Sequence, residues 1–320
     1  MKKSTKNATG NERIAAFSRK INLFLMLAAF ANTLLISLFI GAGFITQQLT
    51  VVDNPADVAN SFGLIGYMIF AAALMLLILR FYKGKLLFQL LEYGLIATSA
   101  EVFGAVFLPG YDLYIVIAAV AARLLLPRLQ TVLLLFSSIV VGAILGASLD
   151  FIPVAVFATL LAAYDYIAVF RTKHMVELAK GLSEREAAFS IKIGVSLPAG
   201  KGKDETAKPK TTDVAAKAGL AEETRAAAPG KAPAVRNGIE LGLGDFLIGV
   251  MLSVAALKIG TFPSFGYGLA SVIGASAGLT LMFIYLERKG GYFPAVPPIA
   301  AGSLLCISLY WCALSLFGIA

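Results

Sequence analysis

One histidine, two cysteines and 14% charged residues in 320 positions leave few routes to chemistry. Soluble domains carry about 25% charged residues, so a soluble globular chain is already a poor fit. Zinc-dependent proteolysis on a helix needs a histidine pair, and His174 is alone. A serine–histidine dyad would have to recruit His174, which lies beyond the end of an apolar run and among charges. Gly274-Ala275-Ser276-Ala277-Gly278 matches G-x-S-x-G, but it sits inside an apolar helical run and not on a strand-to-helix elbow. It reads as a small-residue packing face. Cys306 and Cys312 share the last apolar run and point to different faces of a helix, so they form no bridge. No metal and no cofactor is called for.

What the chain does have is apolar length. It is 58% hydrophobic, with a mean hydropathy of +0.82. The net charge of +8 marks cytoplasmic loops of a membrane protein, not nucleic-acid binding. Apolar runs cover roughly Ile21–Ile40, Phe62–Leu79, Leu86–Leu108, Leu113–Leu126, Thr131–Leu149, Phe151–Phe170, Ile239–Leu257, Gly266–Leu286 and Pro298–Ile319. The first is too long for a signal-peptide core. The expected fold is all-α, with about nine transmembrane helices.

The loops alternate in sign. Asp53 and Asp57 follow the first run, Arg80, Lys83 and Lys85 the second, and Asp112 the third. Arg123 and Arg128 close the fourth, Asp150 separates the fifth from the sixth, Arg171 and Lys173 follow the sixth, and Arg288 and Lys289 the eighth. This places the N-terminus in the cytoplasm and the C-terminus outside, with Lys258 as the one exception.

Four segments follow. Residues 1–20 form a basic cytoplasmic tail, and 21–190 a six-span part ending in an amphipathic stretch, Met175–Phe189. Residues 191–237 are Ala-, Lys-, Thr-, Gly- and Pro-rich and read as a disordered cytoplasmic linker. Residues 238–320 form a three-span part.

Two aspartates stand inside apolar runs, where lipid offers a carboxylate no water: Asp165 in the sixth and Asp245 in the seventh. Gly238, Gly242, Asp245 and Gly249 would form one helical stripe of close approach, and Ala158, Ala162 and Ala168 another near Asp165. Counting from the inner ends of two oppositely directed spans puts both carboxylates about 8–9 Å inside the cytoplasmic boundary. They should therefore meet. Adjacent carboxylates in low dielectric cannot both ionise, and share a proton. Such a pair holds a water as base on one side and protonates a carbonyl oxygen on the other. Pro294, Pro297 and Pro298 withhold amides and are expected to leave extended backbone beside the pair. Ile239–Leu241 is the stretch expected to supply a second strand for an unwound substrate.

Tyr164-Asp165, Leu241-Gly242-Leu243-Gly244-Asp245-Phe246 and Pro294-Ala295-Val296-Pro297 resemble the three signatures of the presenilin and signal peptide peptidase family, in the same order and in the corresponding spans. The cytoplasmic N-terminus and the Leu-Gly-Leu-Gly-Asp-Phe form resemble microbial, archaeal-type presenilin homologues. The resemblance implies an intramembrane aspartyl protease of the GxGD type. Asp165 and Asp245 would be catalytic, and Tyr164, Leu241, Gly242, Leu243, Gly244, Pro294, Ala295, Val296 and Pro297 would line the substrate site. Val296 replaces the family's usual leucine, and altered efficiency is expected. Substrates would be single-span proteins with an outside N-terminus, cut near the cytoplasmic face of the cell membrane. The enzyme would act in the lipid bilayer, without obligatory partner subunits or nucleic acid, alone or as a homo-oligomer.

The alternative is a carboxylate-gated ion or solute pathway, the usual role of buried membrane carboxylates. Glu92 and Glu101 read as inward-packing polar groups, Asn22, Asn32 and Gln89 as interhelical hydrogen-bond donors, and His174 as a solvated loop residue.

Overall fold

The computed structural model describes residues 2–82, 84, 86–172, 190–193, 239–260, 264–289 and 293–317. Among them nine α-helices follow the apolar runs: α1 Lys2–Thr46, α2 Ala59–Phe81, α3 Leu86–Phe107, α4 Asp112–Leu125, α5 Gln130–Ser148, α6 Phe151–Ile167, α7 Leu243–Ala256, α8 Phe265–Lys289 and α9 Val296–Leu316. Seven helical segments of this set are long and apolar enough to cross a membrane. The 14-residue α4 and α7 are shorter, each spanning about 21 Å against a hydrocarbon core of about 30 Å. The stretch read as an N-terminal tail continues α1 from Lys2 as helix. His174, the amphipathic stretch 175–189 and the linker from 194 lie outside the described residues.

The helix α7 is the centre of the bundle. Ten of its 14 residues are buried, from Phe246 through Ala256 with Leu247 partly covered. Glycines on its neighbours make this possible. Gly142 and Gly146 of α5 lie against the backbone of α7, where a Cβ would come 2.9 Å from the Leu247 oxygen and 2.6 Å from the Met251 oxygen. Val254 fills the space over Gly146 and over Gly41 of α1. Gly249 faces α1 in turn, with Leu34 and Phe30 close by, and the Phe30 and Phe246 rings meet at 5.3 Å. Small residues here allow backbone contact where no hydrophobic drive separates helix from lipid.

Buried hydroxyls tie α7 to its C-terminal neighbours. Ser253 Oγ lies 3.1 Å from Ser271 Oγ of α8, and Ser303 Oγ of α9 donates to the Ser271 carbonyl at 3.2 Å. Gly274 and Gly302 touch backbone to backbone, so the G-x-S-x-G stretch is a packing face of α8 against α9, as expected.

Lys258, the exception to the charge pattern, is a neutralised cation. Its Nζ lies 2.8 Å from Asp150 Oδ1 and donates to the carbonyls of Ala147 and Leu149 at the end of α5. A cation satisfying the last carbonyls of a helix is favoured there. Glu92 is buried and paired with Arg123, as an inward-packing group should be. Glu101, Asn32 and Gln89 are corrections: all three are exposed on the surface of the bundle. Asn22 is buried.

Candidate active site

Two short strands carry extended backbone into the bundle. β1 (Ser190–Ile193) pairs antiparallel with β2 (Ile239–Gly242), in the register Ser190 to Gly242 and Ile193 to Ile239. Ile239–Leu241 therefore is strand, as the sequence suggests. Its partner differs from expectation: residues 191–193, the start of the expected linker, are strand, in keeping with the Ile191-Lys192-Ile193 alternation. Leu241 is buried in the core, which is how non-helical backbone is tolerated at this depth.

The chain turns from β2 into α7 at Gly242, the N-cap, with extended backbone at φ −67° and ψ 145°. Asp245 is the third residue of the helix, and its Oδ2 accepts the Gly242 backbone N–H at 3.1 Å. A carboxylate in this place satisfies one of the free amides of a helix start. The proposed stripe through Gly242, Asp245 and Gly249 is corrected here. Gly242 precedes the helix, Gly238 lies outside the described residues, and Gly249 packs on α1. Gly244 is exposed, with open space around it, and Leu243 is partly buried.

Asp165 is the third residue from the end of α6 and is 8% exposed. Beyond Ile167 the helix widens into a π-helical turn, Ala168–Thr172. The carboxylates of Asp165 and Asp245 are close enough to interact electrostatically. Tyr164, half-buried, also feels the Asp165 carboxylate and packs on the cluster that contains Val296 and Ala300.

The proline segment arrives at the same place in a different conformation from that expected. Ala295 has helical backbone, φ −88° and ψ −26°, and α9 begins at Val296 with Pro297 in its first turn. Proline is well accommodated there, because the amide it lacks has no partner within the helix. The segment is a helix start and not an extended rail. Its first amide, that of Val296, faces the Asp165 carboxylate. Pro294, Ala295 and Val296 are buried, and Pro297 is half-buried. Among the described residues no group of three or more His, Cys, Asp or Glu side chains forms a metal-binding set.

Three helices and a strand pair thus converge on two aspartates. Two solved structures of a presenilin family intramembrane aspartate protease, in C222 and P2 crystal forms, share this fold. They superpose with TM-scores of 0.59 and 0.56 at 22% identity, covering 90% and 89% of this chain and 99% and 96% of theirs. No curated protein matches the chain. The family profile described as signal-peptide peptidase, presenilin aspartyl protease matches residues 23–309, and the chain belongs to that family.

Proposed function

We propose that this chain hydrolyses peptide bonds within the bilayer, with Asp165 and Asp245 as a dyad sharing one proton. The observation that carries this is the pair of carboxylates that α6 and α7 bring within electrostatic reach of each other, with the first amide of α9 facing Asp165. Together the carboxylates hold a water. The ionised one takes a proton from the water as its oxygen attacks the scissile carbonyl carbon, and the protonated one gives its proton to the carbonyl oxygen. Collapse of the tetrahedral species returns a proton to the amide nitrogen, breaks the C–N bond and leaves a new carboxyl and a new amine.

A peptide bond in an intact transmembrane helix is shielded, so the substrate unwinds first. The β1–β2 pair offers strand edges for the unwound segment, with backbone hydrogen bonds giving affinity. Gly244 leaves room for it beside Asp245. Leu241, Gly242, Leu243 and Tyr164, together with Pro294–Pro297, wall the site. The chain crosses the cell membrane nine times with a cytoplasmic N-terminus. Its substrates are single-span proteins with an outside N-terminus, cut toward the cytoplasmic side, and it acts without obligatory partner subunits.

Purified protein in detergent with a tagged single-span substrate tests this. The native chain should cleave and Asp245→Asn should not. Equal cleavage by both would assign the activity to a contaminant. If neither cleaves, but the native chain conducts ions in liposomes and Asp245→Asn does not, the carboxylates serve a transport pathway.

A further inference from the structure

This inference rests on the reading of Asp165 as a reacting carboxylate. Val296 opens α9, where an amide has no partner within its own helix, and its side chain packs in one cluster with Leu161 and Tyr164 of α6, so this amide faces Asp165. Its position is set by whatever fixes the first turn of α9. Two contacts do so, from two sides.

On α8, Gly278 lies against the Pro298 carbonyl, and a Cβ built on Gly278 would overlap that oxygen and its carbon. Before α9, the Phe293 ring sits between two others. It meets Phe170 at 5.9 Å, edge to face, and Tyr285 at 5.2 Å. Phe170 belongs to the π-helical turn that follows α6, and it packs in turn on Tyr166, the neighbour of Asp165, at 4.8 Å. π turns recur at functional sites because they re-aim side chains within a helix. The segment from Phe293 to Pro298 is therefore clamped at both ends, with Val296 between the clamps.

We propose that Gly278 and Phe293 are positioning residues that hold the first turn of α9, packed through Val296 on α6, in place beside Asp165. Neither touches the reacting atoms. The bland account is that Gly278 only lets α8 and α9 pack, and that Phe293 only adds lipid-facing bulk. The two accounts differ in kinetics. A displaced amide lowers turnover, since small misplacements of a catalytic group are costly, while loosened packing lowers stability.

The test measures kcat, KM and Tm for the purified full chain with a single-span substrate. The variants are Gly278→Ala, Phe293→Ala and Phe293→Tyr, with Gly274→Ala and Phe103→Ala as controls. Gly274→Ala puts the same methyl into the same interface, against Gly302 and beyond the first turn of α9. Phe103→Ala removes a partly buried ring of α3 that packs on Phe107 of the same helix at 4.8 Å and on Phe136 of α5 at 5.3 Å, away from α8 and α9. We expect kcat to fall about tenfold or more in Gly278→Ala and Phe293→Ala, with KM within about twofold of native. Phe293→Tyr should recover turnover, and the controls should keep kcat at a comparable loss of Tm. Controls that lose kcat equally, or a Phe293→Ala variant with native kcat, overturn the proposal. If Gly278→Ala does not fold, the Phe293 series decides, because that ring is only half-buried. A native chain that fails to cleave overturns the proposed function, and this inference with it.

Discussion

The Gly242 backbone N–H donates to Asp245 Oδ2 at 3.1 Å, across the junction where β2 becomes α7. The two glycines of this junction are consequently not equivalent. A Cβ on Gly242 would meet only that carboxylate, with its Oδ2 at 3.1 Å, whereas one on Gly244 meets nothing within 4 Å. Gly242 has ordinary extended backbone, so alanine brings no strain there. Gly242→Ala should fold normally and lose turnover by pressing on Asp245. Gly244→Ala should keep native stability, and any loss of cleavage then reports contact with substrate. Thermal melts beside cleavage kinetics separate the two effects.

Both aspartates and the strand at Ile239 were legible in the sequence, because a carboxylate in an apolar run and a glycine-flanked helix start leave local marks. The depth argument needed only span ends and helical rise. What failed was conformation at the junctions. Gly242 and Asp245 looked like one helical stripe because a strand buried at membrane depth reads as part of the apolar run. Pro297 and Pro298 looked like helix breakers, but at the first turn of a helix proline breaks nothing. The pairing of Glu92 with Arg123 was invisible, because nothing local in the sequence says which face of α4 turns toward α3.

That pair gives a second prediction. Arg123 Nε lies 2.6 Å from Glu92 Oε1, Gln130 Nε2 donates to Oε2 at 3.1 Å, and both charged side chains are largely covered. Removing one partner strands the other. Arg123→Ala should cost about 3–5 kcal/mol, and the double variant with Glu92→Ala should cost less than Arg123→Ala alone. Denaturant melts in detergent provide the comparison.

Lys258 and Asp150 should respond unequally. Lys258 also holds two carbonyls at the end of α5, while Asp150 is nearly half exposed. Asp150→Asn should cost at most about 1 kcal/mol. Lys258→Met should cost about 1–3 kcal/mol, because it leaves those carbonyls without their cation. The difference in Tm between the two variants measures it.

Val296 occupies a filled site, 6% exposed and packed with the α6 and α7 residues around Leu161 and Ile248. Restoring the family's leucine adds volume to a packed core. Val296→Leu should therefore lower stability by about 1–3 kcal/mol, not raise it, and shift cleavage efficiency only modestly. A higher Tm would show that the site holds space for the larger side chain.

The central claim is that Asp165 and Asp245 act as one unit. Its most direct test is the turnover of Asp165→Asn, Asp245→Asn and the double variant, all in the same purified preparation with the same single-span substrate. Groups that act together are grossly non-additive, so each single variant should fall by about a thousandfold or more, and the double variant no further. A single variant that keeps a tenth of native turnover, or a double variant whose loss is the product of the two single losses, would contradict the dyad.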